Sequence, residues 1–112
     1  MQKDYYSGIL ISKVIKEGIK MATIEGAKVL GLENEIGSLE PGKKADMIFI
    51  KTDKIHLCPE NDVPANIVYS ANGADVDTAI INGKLVMQNR KLLKIDEKEV
   101  IKQVKKVAQR LL

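Results

Sequence analysis

The sequence predicts an α+β fold in three successive parts, with helices first, strands in the middle and one helix at the end. Apolar residues between Gly8 and Lys20 recur every three to five positions, the period of a helix with one buried face. The pair Asn82-Gly83 lies between two apolar runs and is a strong hairpin signal. We therefore expect a helical part over 1–35, strands over 36–95 and a terminal helix over 96–112, together forming one compact unit.

The N-terminal part is predicted to contain two helices. The first covers Gly8 to Lys20, although Gly18 weakens it near its end. Thr23 is placed to cap a second, short helix, because its hydroxyl can accept a free backbone N–H of the first turn. Gly31 follows the apolar Leu30, where a helix ends easily with a positive φ angle.

A tight turn and a buried strand are predicted next. Pro41-Gly42 suits a type II turn, since proline presets φ at one central position and glycine accepts positive φ at the other. The apolar run from Met47 to Ile50 indicates a strand with both faces covered. Residues 52–66 contain two prolines and no periodicity, which indicates a loop.

The second group of strands begins near Asp75. Asn82-Gly83 favours a type I′ turn, because both central residues of that turn need positive φ. A further turn around residues 88–91 leads into the sequence LLKI. The expected result is a hairpin followed by a second turn.

The chain is predicted to end in an amphipathic helix of about four turns. Asp96 stands at the N-cap position with Glu99 three residues later, which is a capping-box arrangement. One apolar stripe follows at helical spacing. Its members are Val100, Ile101, Val104, Val107, Ala108 and Leu111.

The composition is that of an ordinary globular protein, with 45% hydrophobic and 29% charged residues. No apolar run approaches the ~20 residues that a membrane helix needs, so the sequence predicts a cytoplasmic protein without membrane contact. The net charge of +3 is uneven: residues 90–112 carry +5 and residues 1–89 carry −2. A lysine-rich helix face without aromatic or arginine-rich readout favours a solvated surface over nucleic-acid binding.

Few side chains suggest catalysis. Cys58 is the single cysteine and His56 the single histidine, which leaves two soft ligands where zinc sites use three or four. We interpret them as a loop histidine and a partly buried thiol. The neighbours Lys43, Lys44 and Asp46 could suggest an active site, but a place between a turn and a strand favours a structural role in which Asp46 bonds turn N–H groups. The stretch also lacks the G-x-x-x-x-G-K-[ST] spacing of phosphate loops.

The segment from Met21 to Ile50, MATIEGAKVLGLENEIGSLEPGKKADMIFI, resembles the C-terminal segment of the amidohydrolase superfamily, which often reads A-T-x-x-G-A-x-x-L-G and then I-G-S-L-E-x-G-K-x-A-D. The segment from His56 to Met87 is similar to the 5-methylthioadenosine/S-adenosylhomocysteine/5′-deoxyadenosine deaminases and chlorohydrolase-like enzymes. The resemblance runs from about Ile19 to the end of the chain. The motif residues expected to shape the scaffold are Thr23, Gly26, Gly31, Gly37, Pro41, Gly42, Lys43, Asp46, Asn82 and Gly83.

The resemblance implies a (β/α)₈ barrel joined to a composite β-sandwich, of which this chain holds the end of the barrel and the late sandwich strands. It also implies zinc or iron bound by histidines and an aspartate on earlier barrel strands, so that no catalytic, cofactor-binding or metal-binding residue is expected in this chain. The terminal helix is expected to pack against the outside of the assembly.

The functional hypothesis is that the chain is the C-terminal structural portion of a deaminase of adenosine derivatives, inactive alone. We expect it to form a homo-oligomer or to contact a missing barrel portion, because exposed strand edges pair with other chains. The alternatives are an independent, non-enzymatic β/helix module that dimerises or binds a partner protein, and a subunit that joins a separately encoded barrel.

Overall fold

The computed structural model describes residues 13–112, which form an α+β fold with one antiparallel sheet. The helices are α1 (13–22), α2 (Ile24–Val29), α3 (Val63–Tyr69) and α4 (Glu97–Leu111). The strands are β1 (Met47–Ile50), β2 (Val76–Ile81), β3 (Lys84–Gln88) and β4 (Lys91–Leu92). Two short 3₁₀ turns, Ile55–Leu57 and Gly73–Asp75, precede α3 and β2 respectively.

The first helix continues through Gly18 to residue 22, two residues beyond its predicted end; its predicted start over 8–12 lies outside the described residues. Gly18 lies against α3, where a Cβ atom would be 3.8 Å from the Val68 methyl groups. Thr23 stands at the N-cap of α2, but the predicted capping bond is wrong. Its hydroxyl instead donates a hydrogen bond of 2.8 Å to the Ile19 carbonyl, since Thr23 also continues the last turn of α1.

The prediction of a loop over 52–66 is wrong at both ends of that stretch. A 3₁₀ turn forms at Ile55–Leu57, and α3 begins at Val63. Asp62 caps α3 by accepting a hydrogen bond of 3.0 Å from the Ala65 N–H. Pro64 lies in the first turn, where its missing N–H leaves no helical bond unmade. Pro64, whose presence suggested a loop, is therefore part of the start of a helix.

The four strands follow one another in sequence order, and each neighbouring pair is antiparallel. The β2–β3 connection is the predicted two-residue turn, with φ of 51° at Asn82 and 74° at Gly83. Asn89 and Arg90 make the next turn with positive φ, at 50° and 65°. Strand β1 pairs only with β2, so one of its edges is free among the described residues.

Burial in the described part of the chain is confined to a few side chains. Ile15, Ala27 and Leu57 are the buried apolar residues, and Asp75 is the buried charged residue. The prediction that both faces of β1 are covered is wrong, because Ile48 and Phe49 are both more than half exposed. An apolar run therefore indicates a strand that can be buried, while its covering depends on elements outside the strand.

Helix α4 begins where predicted, with the Asp96 carboxylate accepting hydrogen bonds from the N–H groups of Lys98 and Glu99. The predicted second half of the capping box is not made, since Glu99 instead accepts a hydrogen bond of 2.6 Å from Gln103 one turn later. No residue of α4 is buried. The expected packing of this helix against the outside of the larger assembly stays a prediction.

Candidate functional site

The segment 36–46 folds against α2 through a glycine contact. Gly37 has φ of 93°, and a Cβ atom placed on it would lie 2.7 Å from the Ala27 Cβ and 3.0 Å from the Ile24 Cα. Only glycine allows the two backbones to approach so closely. Gly26 is also tight, because a Cβ there would lie 3.0 Å from the Met21 carbonyl oxygen. Gly37 therefore holds the segment to α2, whereas Gly26 makes room for the backbone at the end of α1.

Pro41-Gly42 makes a hydrogen-bonded turn. Gly42 has φ of 89°, and the Lys43 N–H donates a hydrogen bond of 3.1 Å to the Glu40 carbonyl. The Lys43 side chain, only 14% exposed, returns to the same turn. Its ammonium group lies 2.6 Å from the Ser38 hydroxyl and 3.0 Å from the Glu40 carboxylate. Bonds from Ser38 and Lys43 hold the pKa of Glu40 below its usual value. Lys43 therefore closes a local turn.

The remaining charged motif residues also make structural contacts. Lys44 pairs with Glu35 at 2.7 Å, and that pairing raises the pKa of Lys44. The Asp46 carboxylate accepts a hydrogen bond of 2.6 Å from the Asn82 N–H, and the Gly83 N–H donates one of 3.0 Å to the Ala45 carbonyl. Asp46 thus binds the N–H of the distant hairpin turn, whereas its own turn at Pro41-Gly42 is closed without it.

An open apolar groove lies between α2, the segment 36–39 and the start of β1. It has a volume of about 510 Å³. Its walls include Leu30, Leu39 and Ile48, which are exposed large apolar side chains, Leu39 to 73% and Ile48 to 58%. Several motif residues line the same groove, namely Thr23, Gly26, Gly37 and Asp46. These motif residues therefore form one wall of the groove, and no described residue covers it.

A second polar cluster surrounds Asp75, whose side chain is 1% exposed. Its carboxylate lies 2.8 Å from His56 Nε2 and 3.1 Å from the Lys54 ammonium group, and it accepts a hydrogen bond of 2.9 Å from the Asn72 N–H. The hydrogen bond from His56, followed by that from Asn72, holds the pKa of Asp75 well below its usual range, against the opposing effect of burial. The cluster joins the 3₁₀ turn at Ile55–Leu57 to the start of β2.

The similarity of the chain to known proteins matches this arrangement. The model of the amidohydrolase family matches residues 14–86, which is more than half of the chain and includes the motif, the Asp75 cluster and the hairpin turn. The chain belongs to the amidohydrolase family.

Curated amidohydrolases extend well beyond the chain. A 5-methylthioadenosine/S-adenosylhomocysteine deaminase of Acetivibrio thermocellus is 54% identical over 94 residues, which cover 84% of this chain and 22% of that protein. A 5′-deoxyadenosine deaminase of Methanobrevibacter smithii is 51% identical over 96 residues, which cover 85% of this chain and 22% of that protein. The chain thus spans about 22% of the length of these relatives.

Solved structures show the same fold. A zinc-bound adenosine deaminase from Xanthomonas campestris matches with a TM-score of 0.80 and 28% identity, over 82% of this chain and 21% of that one. An atrazine chlorohydrolase from Arthrobacter aurescens, in complex with zinc, matches with a TM-score of 0.74 and 21% identity. The match covers 81% of this chain and 20% of that one. The predicted α+β arrangement of late amidohydrolase strands and flanking helices is therefore confirmed.

The two residues singled out for possible metal or thiol chemistry lie in different surroundings from those expected. His56 is part of the Asp75 cluster and not a plain loop histidine. Cys58, expected to be partly buried, is exposed. Over residues 13–112 no group of three His, Cys, Asp or Glu side chains could hold a metal ion, so the zinc or iron of the family has no fitting ligand set in this part of the chain.

The sequence reasoning missed the Asp75 cluster. His56 and Asp75 are 19 residues apart along the chain, and no periodicity links them. One local signal could have indicated part of it, since Asn72 followed by Asp75 is a capping-box spacing, and the structure contains that box.

Among the described residues, no helix is long and apolar enough to cross a bilayer.

Proposed function

We propose that this chain is the C-terminal structural portion of an amidohydrolase-type deaminase that acts on adenosine derivatives. The identity of 54% to a 5-methylthioadenosine/S-adenosylhomocysteine deaminase, over 94 residues that make up 22% of that protein, carries the proposal. The reaction of the whole enzyme would be hydrolytic loss of an amino group from an adenine-type ring, with release of ammonia. The metal and its activated water would belong to a barrel portion, and this chain alone would be inactive.

The role of the chain in such an enzyme is to support the barrel. The groove between α2 and β1 has apolar walls, and its shape is set by Gly37, which brings the 36–39 segment onto α2. Leu39 and Ile48 extend from it toward solvent. A barrel portion seated on this groove would cover those side chains, and exposed apolar patches of this kind commonly mark protein contacts.

Exposed apolar side chains of the described residues support a missing cover. In β1, Ile48 and Phe49 are both more than half exposed, and at the end of α2 Val29 is 88% and Leu30 is 69% exposed. A barrel partner or a second copy of the chain would remove such side chains from water.

A complementation experiment tests the proposal. The Acetivibrio thermocellus relative is produced without the segment that aligns with this chain, and this chain is added as a separate polypeptide. We expect ammonia release from methylthioadenosine only when both are present. Activity of this chain alone would contradict the proposal, and so would a mixture that stays inactive.

A matched pair of variants locates the contact. Ile48→Lys places a charge in the groove and is expected to abolish complementation, because a buried unpaired ammonium group is costly. Ile55→Lys makes the same change at a highly exposed position outside the groove lining and should leave complementation intact. Equal loss in both variants would show that the groove is not the contact. The cytoplasmic location and the alternative of an independent module stay predictions.

A further inference from the structure

The chain contains two Asn-Gly pairs, Asn72-Gly73 and Asn82-Gly83. We propose that Asn72 is a site of spontaneous covalent modification by deamidation, and that the fold protects Asn82 from the same reaction. In an Asn-Gly pair the reaction meets little steric hindrance, because glycine has no Cβ beside its backbone nitrogen. The inference goes beyond the proposed function and does not depend on it.

Deamidation starts at the backbone nitrogen of the glycine. After losing its proton to hydroxide, this nitrogen attacks Cγ of the preceding asparagine. The N–Cγ bond forms, the Cγ–Nδ2 bond breaks, and Nδ2 takes up a proton from water and leaves as ammonia. Water then opens the resulting succinimide ring at either carbonyl, which gives aspartate or isoaspartate. The net reaction consumes water, releases ammonia and involves no oxidation or reduction.

The two glycine N–H groups differ in their hydrogen bonds. The Gly83 N–H donates a hydrogen bond of 3.0 Å to the Ala45 carbonyl. The Gly73 N–H is the first of a 3₁₀ turn, where the turn itself offers no acceptor, and no other described residue accepts from it. A nitrogen whose proton is held by a carbonyl loses that proton less readily. Gly73 therefore supplies the better nucleophile.

The backbone angle ψ also favours reaction at Asn72. Ring closure requires the glycine nitrogen to eclipse Cβ of the asparagine, which tetrahedral geometry at Cα places at a ψ of about −120°. The ψ of Asn72 is 174°, a rotation of roughly 65° away. A type I′ turn, such as the one at Asn82-Gly83, has a ψ of about +30° at its first central residue, roughly 150° away. Asn72 is therefore closer to the reacting geometry.

The side-chain amide of Asn72 is polarised for attack. Its Oδ1 accepts a hydrogen bond of 2.9 Å from the Ala74 N–H. Attack at Cγ transfers negative charge to this oxygen, and a donor that is already in place stabilises the charge. Asn72 and Gly73 are both exposed, and nothing lies within 4 Å of a Cβ atom placed on Gly73. Water and hydroxide can therefore reach the pair.

The modification would act on the Asp75 cluster. The Asn72 N–H donates a hydrogen bond of 2.9 Å to the Asp75 carboxylate, and the capping box between the two residues depends on the length of the backbone that joins them. Isoaspartate at position 72 adds a carbon atom to this backbone and so disrupts the box, whereas aspartate retains an acceptor for the Ala74 N–H. The junction between the Ile55–Leu57 turn and β2 would thus be weakened as the protein ages.

Peptide mapping by mass spectrometry tests the proposal. The full chain is incubated in mildly alkaline buffer, either folded or in urea, and is then cleaved before aspartate, which separates residues 62–74 from residues 77–95. Deamidation adds about 1 Da, and fragmentation assigns the gain to an asparagine. In the folded chain Asn72 should react about tenfold faster than Asn82, the effect of about one hydrogen bond on a rate. In urea the two rates should be similar, because the local sequence alone then acts. Equal rates in the folded chain, or faster reaction at Asn82, overturn the proposal.

Two variants separate the causes. Gly73→Ala adds a methyl group in open space at a position without positive φ, so the fold is retained, and modification of Asn72 should become several-fold slower. Asp46→Ala removes the 2.6 Å hydrogen bond from the Asn82 N–H, so Asn82 should react several-fold faster and Asn72 as before. Circular dichroism verifies that each variant is folded. An unchanged rate at Asn72 in the first variant, or at Asn82 in the second, contradicts the inference.

Discussion

The carboxylate of Asp46 accepts a hydrogen bond of 2.6 Å from the backbone N–H of Asn82, 36 residues later in the chain. The contact joins the residue before β1 to the turn between β2 and β3. The neighbouring bond from the Gly83 N–H to the Ala45 carbonyl reinforces it. Two sequence signals, an aspartate after a turn and an Asn-Gly hairpin, are therefore parts of one structure.

Asp46→Ala should lower the free energy of unfolding by about 1 kcal/mol, because it leaves the Asn82 N–H without its protein acceptor. Urea unfolding followed by circular dichroism measures the change. Asp53→Ala is the control, since its carboxylate is exposed and only forms a 3.6 Å pair with Lys51; it should change stability by less than about 0.5 kcal/mol. Equal effects of the two substitutions would contradict the role of Asp46.

Gly37→Ala should cost about 2 kcal/mol or more, because it combines a positive φ angle with a 2.7 Å approach to Ala27. Gly42→Ala is a matched comparison: its φ is almost the same, but nothing lies within 4 Å of the added Cβ. It should cost about 1 kcal/mol from backbone strain alone. Thermal unfolding of both variants separates the contact from the strain, and a smaller cost at Gly37 than at Gly42 would refute the close packing.

The pH dependence of stability should reveal Asp75. Its pKa is lowered in the folded chain, so its contribution to stability is fully present above the unfolded pKa of about 4 and is lost as the pH falls toward the folded value. Stability of the wild type should therefore decrease on acidification below pH ~4. His56→Gln removes the largest cause of the lowered pKa, so less stability should remain for acid to remove.

Urea unfolding at several pH values between 2 and 6 measures this effect. Stability of the wild type and of Asp53→Asn should depend on pH to a similar extent, because the Asp53 carboxylate is exposed. In His56→Gln the dependence below pH ~4 should be smaller. An unchanged dependence in His56→Gln would show that the histidine does not stabilise the Asp75 carboxylate.

Asp96→Ala should destabilise α4 locally by about 1 kcal/mol, because two N–H groups of the first turn lose their acceptor. The helix is exposed along its whole length, so fraying should be visible as reduced ellipticity at 222 nm and faster amide exchange over residues 98–101. Gln109→Ala, in the same helix, should not speed exchange in that turn. Unchanged exchange in Asp96→Ala would mean that the cap contributes nothing.

The sequence by itself determined the family and the local geometry. The turns at Pro41-Gly42 and Asn82-Gly83 and the start of α4 at Asp96 were predictable, because φ preferences and helix caps act within three or four residues. The start of α3 was also encoded locally, by Asp62 before Pro64, but the two prolines of that stretch were interpreted only as breakers.

The tertiary structure decided which of these local pieces meet. Asp46 contacts Asn82, 36 residues later, and His56 contacts Asp75, 19 residues later. Gly37 lies against Ala27, 10 residues earlier. No periodic pattern in the sequence predicts contacts over these separations. The tertiary structure also decided that the apolar residues of β1 and α4 are uncovered in the described chain. Apolar patterning encodes which face is suited to burial, whereas burial itself depends on the surface that comes to lie against it.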